Sequence, residues 1–180
     1  MLIITIPDTD YFNESTSEFC KVKGTSLQLE HSLVSLSKWE SKWCKPFLAK
    51  DYKTDEETRD YIRCMTINTQ PSTDVYRALT NTQIKEIAAY IDAPMTATTF
   101  SKAQLAGSNR EIITSELIYY WLIAQQIPFE CQKWHLNRLL TLIRVCSIKN
   151  SPPKKMSRQS IQMRNKELNE QRRKQINSKG

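Results

Sequence analysis

Two histidines, His31 and His135, and five cysteines, Cys20, Cys44, Cys64, Cys131 and Cys146, are the residues best suited to chemistry in this 180-residue chain. A histidine acting as general base needs a nucleophile to activate, and no serine or cysteine motif accompanies either one. Cys131 and His135, four residues apart, would share a helical face as half of a zinc site. A tetrahedral site takes four ligands, however, and no second pair follows at a suitable spacing. An odd, scattered set of thiols without a Cys-x-x-Cys pair reads as reduced, several of them serving as small core residues. The paired acids Glu56 and Glu57 fall in the first turn of an expected helix, where negative charge complements the dipole. Gly24, Gly107 and Gly180 stand alone, so the clustered glycine of a phosphate cradle is missing. The expectation is a protein with no catalysis, no metal and no cofactor, which leaves recognition.

The residues best suited to recognition lie between Leu27 and Leu48. Leu27 and Leu29 alternate with polar neighbours, and then Leu33, Leu36, Trp39, Trp43 and Phe47 recur at spacings of three and four. The period changes from strand to helix near His31 or Ser32. Trp39 and Trp43 share one helical face. Large aromatics usually bury themselves, which makes both core residues. Tryptophan also dominates many binding surfaces, which makes Leu36, Trp39, Trp43, Phe47 and, further on, Trp134 a candidate partner-binding set. Both readings stand at this point.

The elements around them are mainly helical. Leu2–Ile6 is a plausible strand ended by Pro7, and the runs 18–23 and 25–29 around Gly24 suggest a small hairpin. Thr54 with Glu57, Thr80 with Gln83 and Ser108 with Glu111 each have the form of a capping box at a helix start. They would open helices carrying Tyr61, Ile62 and Met65, then Ile84, Ile87 and Ile91, then Ile112, Ile113, Leu117, Tyr120 and Trp121. Residues 71–79 add a short helical turn. Ser37 with Glu40 fits the same pattern but falls inside the Trp helix, as a coincidence. Pro128 suits the first turn of a last helix over 129–147, apolar on more than half its surface. The fold class is therefore mainly α, with a short N-terminal β hairpin.

Hydrophobic residues make up 39% of the chain and charged residues 25%, an ordinary soluble balance. No run of about 18 apolar residues could span a membrane, and MLIITIP is too short for a signal peptide, so a cytosolic protein is expected. The net charge of +7 is unevenly placed. Nine of the 26 basic residues and two of the 19 acids lie in 151–180, leaving 17 of each in residues 1–150. The chain thus divides into a neutral body, 1–150, and a basic helical or disordered tail, 151–180, introduced by Ser151-Pro152-Pro153. Arg172, Arg173 and Lys174 are the tail's candidate contacts. A body without excess charge argues against broad phosphate binding, and an aromatic-free tail lacks stacking residues for single strands.

Several stretches resemble one family. Leu27 through Leu48, Asp60-Tyr61-Ile62-Arg63-Cys64-Met65, Tyr90-Ile91, Pro94-Met95-Thr96-Ala97-Thr98 and Leu168-Asn169-Glu170-Gln171-Arg172-Arg173 resemble the tail assembly chaperones of long-tailed, siphovirus-type bacteriophages. The resemblance implies a non-enzymatic protein of the infected host's cytoplasm that binds the tape measure protein, helps tail tube protein polymerise around it, and is absent from the mature virion. It also implies that a longer, frameshifted product can exist. Self-association is left open. The helices at 33–45 and 129–147 would carry the apolar contacts, by a helix-in-groove mode. Two other classes compete: a small nucleic-acid-binding protein using the basic arm, and a structural tail or connector component of the virion.

Overall fold

The computed structural model describes residues 1–13, 17–68, 71–100, 112–151 and 158–176. The chain is mainly helical, with a short antiparallel hairpin at its N-terminus. Strands β1 (Leu2–Ile6) and β2 (Thr9–Asn13) form the outgoing arm, and β3 (Glu18–Val22) and β4 (Thr25–Leu29) the returning one. β1 pairs with β4 from Leu2↔Leu29 to Ile6↔Thr25, and β2 with β3 from Thr9↔Val22 to Asn13↔Glu18. Both pairings keep one register, so the four strands make a single ribbon pinched at Pro7-Asp8 and Lys23-Gly24. Pro7 has no amide hydrogen to give the ladder. The Gly24 N–H donates instead to the Asp8 carboxylate at 2.5 Å, and a Cβ on Gly24 would lie 3.2 Å from the Asp8 nitrogen. The expected hairpin between 18–23 and 25–29 is thereby corrected. Those two runs lie end to end in one arm, and each pairs with a run near the N-terminus.

The pinch also turns the ribbon over. Inboard of it, Ile4, Ile6, Leu27 and Leu29 are buried; outboard, Val22 is buried and Cys20 half-buried. An unbroken alternation from Leu29 and Leu27 would carry Phe19 inward, because successive strand residues face opposite sides. Instead Phe12 and Phe19, directly paired, are 49% and 76% exposed, their rings edge to face at 5.1 Å.

Helix α1 (Leu33–Trp43) opens at Ser32, whose hydroxyl accepts from the Ser35 N–H while the Ser35 hydroxyl accepts from the Ser32 N–H. It stops two residues before the expected 45, because Cys44 takes the left-handed conformation (φ 51°) and returns its N–H to the Glu40 carbonyl. Helices α2 (Asp55–Met65) and α4 (Asn81–Asp92) begin with the expected boxes at Thr54/Glu57 and Thr80/Gln83, and α3 (Thr73–Arg77) is the short turn between them. The proposed start at Ser108/Glu111 lies outside the described residues. Ile112–Thr114 have no regular secondary structure, and α5 (Ser115–Ala124) starts with extended Thr114 as its cap.

The single helix expected over 129–147 is corrected to two elements. A 3-10 turn (Phe129–Lys133) is followed by extended Trp134 and then by α6 (Leu136–Asn150). The break has a long-range cause: the Leu136 N–H donates to the His31 carbonyl at 2.7 Å, and Ser32 and His135 form an isolated bridge.

Helix α1 is the wall between two cores. Trp39 faces the cluster of ribbon, α2, α3 and α4, which includes Ile4, Leu27, Tyr61, Met65, Tyr76 and Ile87. Leu33 and Leu36 face the second, formed with Ile118 and Leu122 of α5 and Leu136, Leu139 and Ile143 of α6. The chain divides into two compact units, Met1–Ile148 and Lys149–Gly180. The second contains α7 (Arg158–Ile176), along which every described side chain is exposed.

Candidate partner-binding surface

The tryptophan stripe closes inward onto α2. Leu36 is fully buried and Trp39 is 1% exposed, so neither is a surface contact; this corrects their place in the candidate binding set. The Trp39 indole N–H donates to the Glu57 carbonyl at 2.9 Å, and its ring meets Phe47 edge to face at 5.1 Å. Phe47 stacks on Tyr61 with centroids 3.7 Å apart. Trp43 is half-buried and donates to Asp60 Oδ2 at 2.8 Å. Trp134 is half-buried under the Arg138 guanidinium, 4.2 Å from its ring centre. Arg172 and Arg173 are exposed on α7, and Lys174 follows in the same helix. The structure brings Trp39, Trp43 and Phe47 together as one cluster with Tyr61.

Charges fasten the rim of that cluster. Lys45 hydrogen bonds to the Glu57 carboxylate at 2.5 Å, and the Thr54 N–H donates to its other oxygen at 2.8 Å; these contacts, the lysine first, hold Glu57 below the usual carboxylate range. Burial opposes a charge on Asp60, but hydrogen bonds from Lys42, Arg63 and Trp43 outweigh it and hold that carboxyl low as well. These cations are engaged in ion pairs at 2.5 to 2.9 Å, the geometry of a surface clasp. Glu40 is different. It is buried, and its two oxygens accept from the Phe47 N–H at 2.9 Å and the Ser115 N–H at 2.7 Å, tying α1 to the loop after it and to the start of α5.

The two histidines meet where the cores join. His31 and His135 are 1% and 6% exposed, with ring centres 5.2 Å apart. His31 Nδ1 and the Tyr61 hydroxyl share a hydrogen bond at 2.6 Å, and His135 Nε2 donates to the Tyr90 carbonyl at 3.0 Å. The latter direction follows from the other ring nitrogen, His135 Nδ1, which accepts from the Asn137 N–H at 3.3 Å. Burial, and then the facing His135, push the His31 pKa down to about 3. The Tyr90 hydroxyl donates to Glu30 at 2.8 Å, and Glu30 pairs with the Met1 ammonium at 2.9 Å. The two histidines and Tyr61 order the joint from the interior, and the contacts through Tyr90 and Glu30 lead out to Met1 at the surface; His135, half of the sequence's metal motif, spends both ring nitrogens on backbone. Among the described residues, no three His, Cys, Asp or Glu side chains cluster to hold a metal ion. Nor is any helix among them long and apolar enough to cross a membrane.

An exposed apolar stripe lies on α5. Ile118 and Leu122 are fully buried, while Tyr120 and Ile123, three residues apart on the outer face, are 62% and 64% exposed. Phe129 of the following 3-10 turn is 51% exposed, and its ring lies 6.3 Å from that of Tyr119. Tyr119 in turn donates to Gln132 at 2.9 Å, which fixes the turn against the helix. A helix apolar on all sides, with only one side packed in its own domain, has a surplus of apolar surface. The sequence carries that signal in Leu117-Ile118-Tyr119-Tyr120-Trp121-Leu122-Ile123-Ala124, where no polar face exists.

Comparison of the chain with protein-family models, curated proteins and solved structures finds no match.

Proposed function

We propose that the protein is a phage tail assembly chaperone: a binding protein without a chemical step, acting in the host cytoplasm on the tape measure protein and assisting tail tube polymerisation. The observation that carries this reading is the outward apolar stripe of α5, Tyr120 and Ile123, continued by Phe129. A long helical protein awaiting assembly exposes apolar faces, and covering them needs a complementary apolar strip on a rigid helix. The stretches that resemble the chaperone family support the same reading. The contact surface keeps Phe129 of the expected 129–147 stretch and replaces 33–45 with α5. The partner meets α5 and the 3-10 turn, because the apolar face of α1 is already spent on the two cores.

Co-expression with the tape measure protein is the test. The wild-type chain keeps that protein in the soluble fraction, and Tyr120→Asp with Ile123→Asp abolishes the effect while the variant's own melting curve stays in place. A tape measure protein that is equally soluble without this chain would sink the reading. Mass spectrometry of purified particles provides a second check, since a chaperone is absent from them and a structural tail component is present.

A further inference from the structure

Helix α7 has exposed side chains of a different chemistry from the α5 stripe. Over its 19 residues, Ile161 and Leu168 stand seven apart, and Asn165 and Arg172 fall between and beyond them at steps of four, three and four. These four positions form one seam of an α-helix, with the spacing that a coiled-coil partner reads. Ile161 and Leu168 remain 44% and 38% exposed. Arg164, Asn169 and Gln171 flank the seam, whereas Glu167 and Glu170, both exposed, lie on the opposite side of the helix. The seam therefore combines apolar anchors with cations and amides and contains no acid.

We infer that this face of α7 docks against an acidic amphipathic helix of a partner protein. Charge complementarity selects that occupant: acids beside a partner's apolar seam would meet Arg172, exposed within the seam, while Ile161 and Leu168 pack against its core. A second copy of α7 brings no acid to the seam. Nucleic acid would use the cations but leave the two apolar anchors idle, since phosphates engage positive charge on any face. The inference deepens the chaperone reading by giving the basic tail a partner chemistry, and it stands on α7 whether or not the α5 stripe binds the tape measure protein.

The full-length chain is titrated by fluorescence anisotropy with a synthetic helical peptide having leucines at its seam and glutamates beside them, with its Glu→Gln counterpart, and with duplex RNA. Two variants of equal net charge separate the possibilities: Arg172→Gln lies in the seam and Arg173→Gln outside it. The acidic peptide binds most tightly, and Arg172→Gln and Leu168→Asp each weaken it by about tenfold while Arg173→Gln changes it by less than about twofold. Equal losses for Arg172→Gln and Arg173→Gln would overturn the seam and leave diffuse attraction. Equal binding of the Gln peptide, tighter binding of duplex RNA, or a dimer that Leu168→Asp dissociates would likewise overturn the inference, in favour of apolar contact, a nucleic-acid arm or self-association. Failure here with an intact co-expression effect overturns the seam alone.

Discussion

At the scale of single residues, two buried polar side chains hold the body together and each makes a measurable prediction. His31 has an ordinary pKa near 6.5 when the chain is unfolded and one pushed down to about 3 in the fold. Below pH 6.5 the unfolded chain therefore binds a proton that the folded chain refuses. The contribution is fully present above pH 6.5 and is lost as pH falls, at up to about 1.4 kcal/mol per pH unit. Between pH 6.5 and 5, above the range of Glu57 and Asp60, urea denaturation of the wild type should show this slope. His31→Asn should be less stable at pH 7 but flatter across the interval, and an unchanged slope would remove His31 as its source. Glu40 makes the second prediction. Removing its carboxylate orphans two amide hydrogens at once, so Glu40→Ala costs about 2 to 4 kcal/mol in urea denaturation. A loss below 1 kcal/mol would mean that water replaces both bonds.

At the scale of elements, what was legible in the sequence was local. The boxes at Thr54/Glu57 and Thr80/Gln83 could be read because cap and partner lie three residues apart, and the change of period near Ser32 marked α1 for the same reason. The box that actually starts α1 uses Ser35 in the place of the usual Glu or Gln, so the usual capping pattern does not mark it. The pairing of Leu2–Ile6 with Thr25–Leu29 and the break before α6 escaped because each depends on contacts between distant residues. The break is set by the His31 carbonyl, more than a hundred residues from Leu136. Trp39 and Trp43 showed the opposite problem: their spacing identified the helix face correctly but could not say which neighbour covered it, and α2 does. The end of α1 supplies a prediction at this scale. Cys44 is exposed and held at φ 51°, where an L side chain is strained and glycine is not. Cys44→Gly should stabilise the protein by about 1 kcal/mol by thermal melting, with Cys44→Val strongly unfavourable.

At the scale of the whole molecule, the chain forms two compact units, residues 1–148 and 149–180. Since residues 1–148 contain both hydrophobic clusters and the described side chains of α7 are exposed, a chain ending at Asn150 should melt at the same temperature as the full protein. A markedly lower or broadened transition would show that the tail supports the body. The pinched ribbon has a consequence of another kind. Residues inboard of Pro7 and Gly24 answer to the hydrophobic core, and their identities are confined to what fits there. Outboard, Val22 still answers to that core, whereas Phe12 and Phe19 keep their partners in the ladder but are released from that demand by the half-turn. Selection can therefore rewrite Phe12, Phe19 and their neighbours without paying in folding, and variation among descendants of this chain should concentrate beyond the pinch.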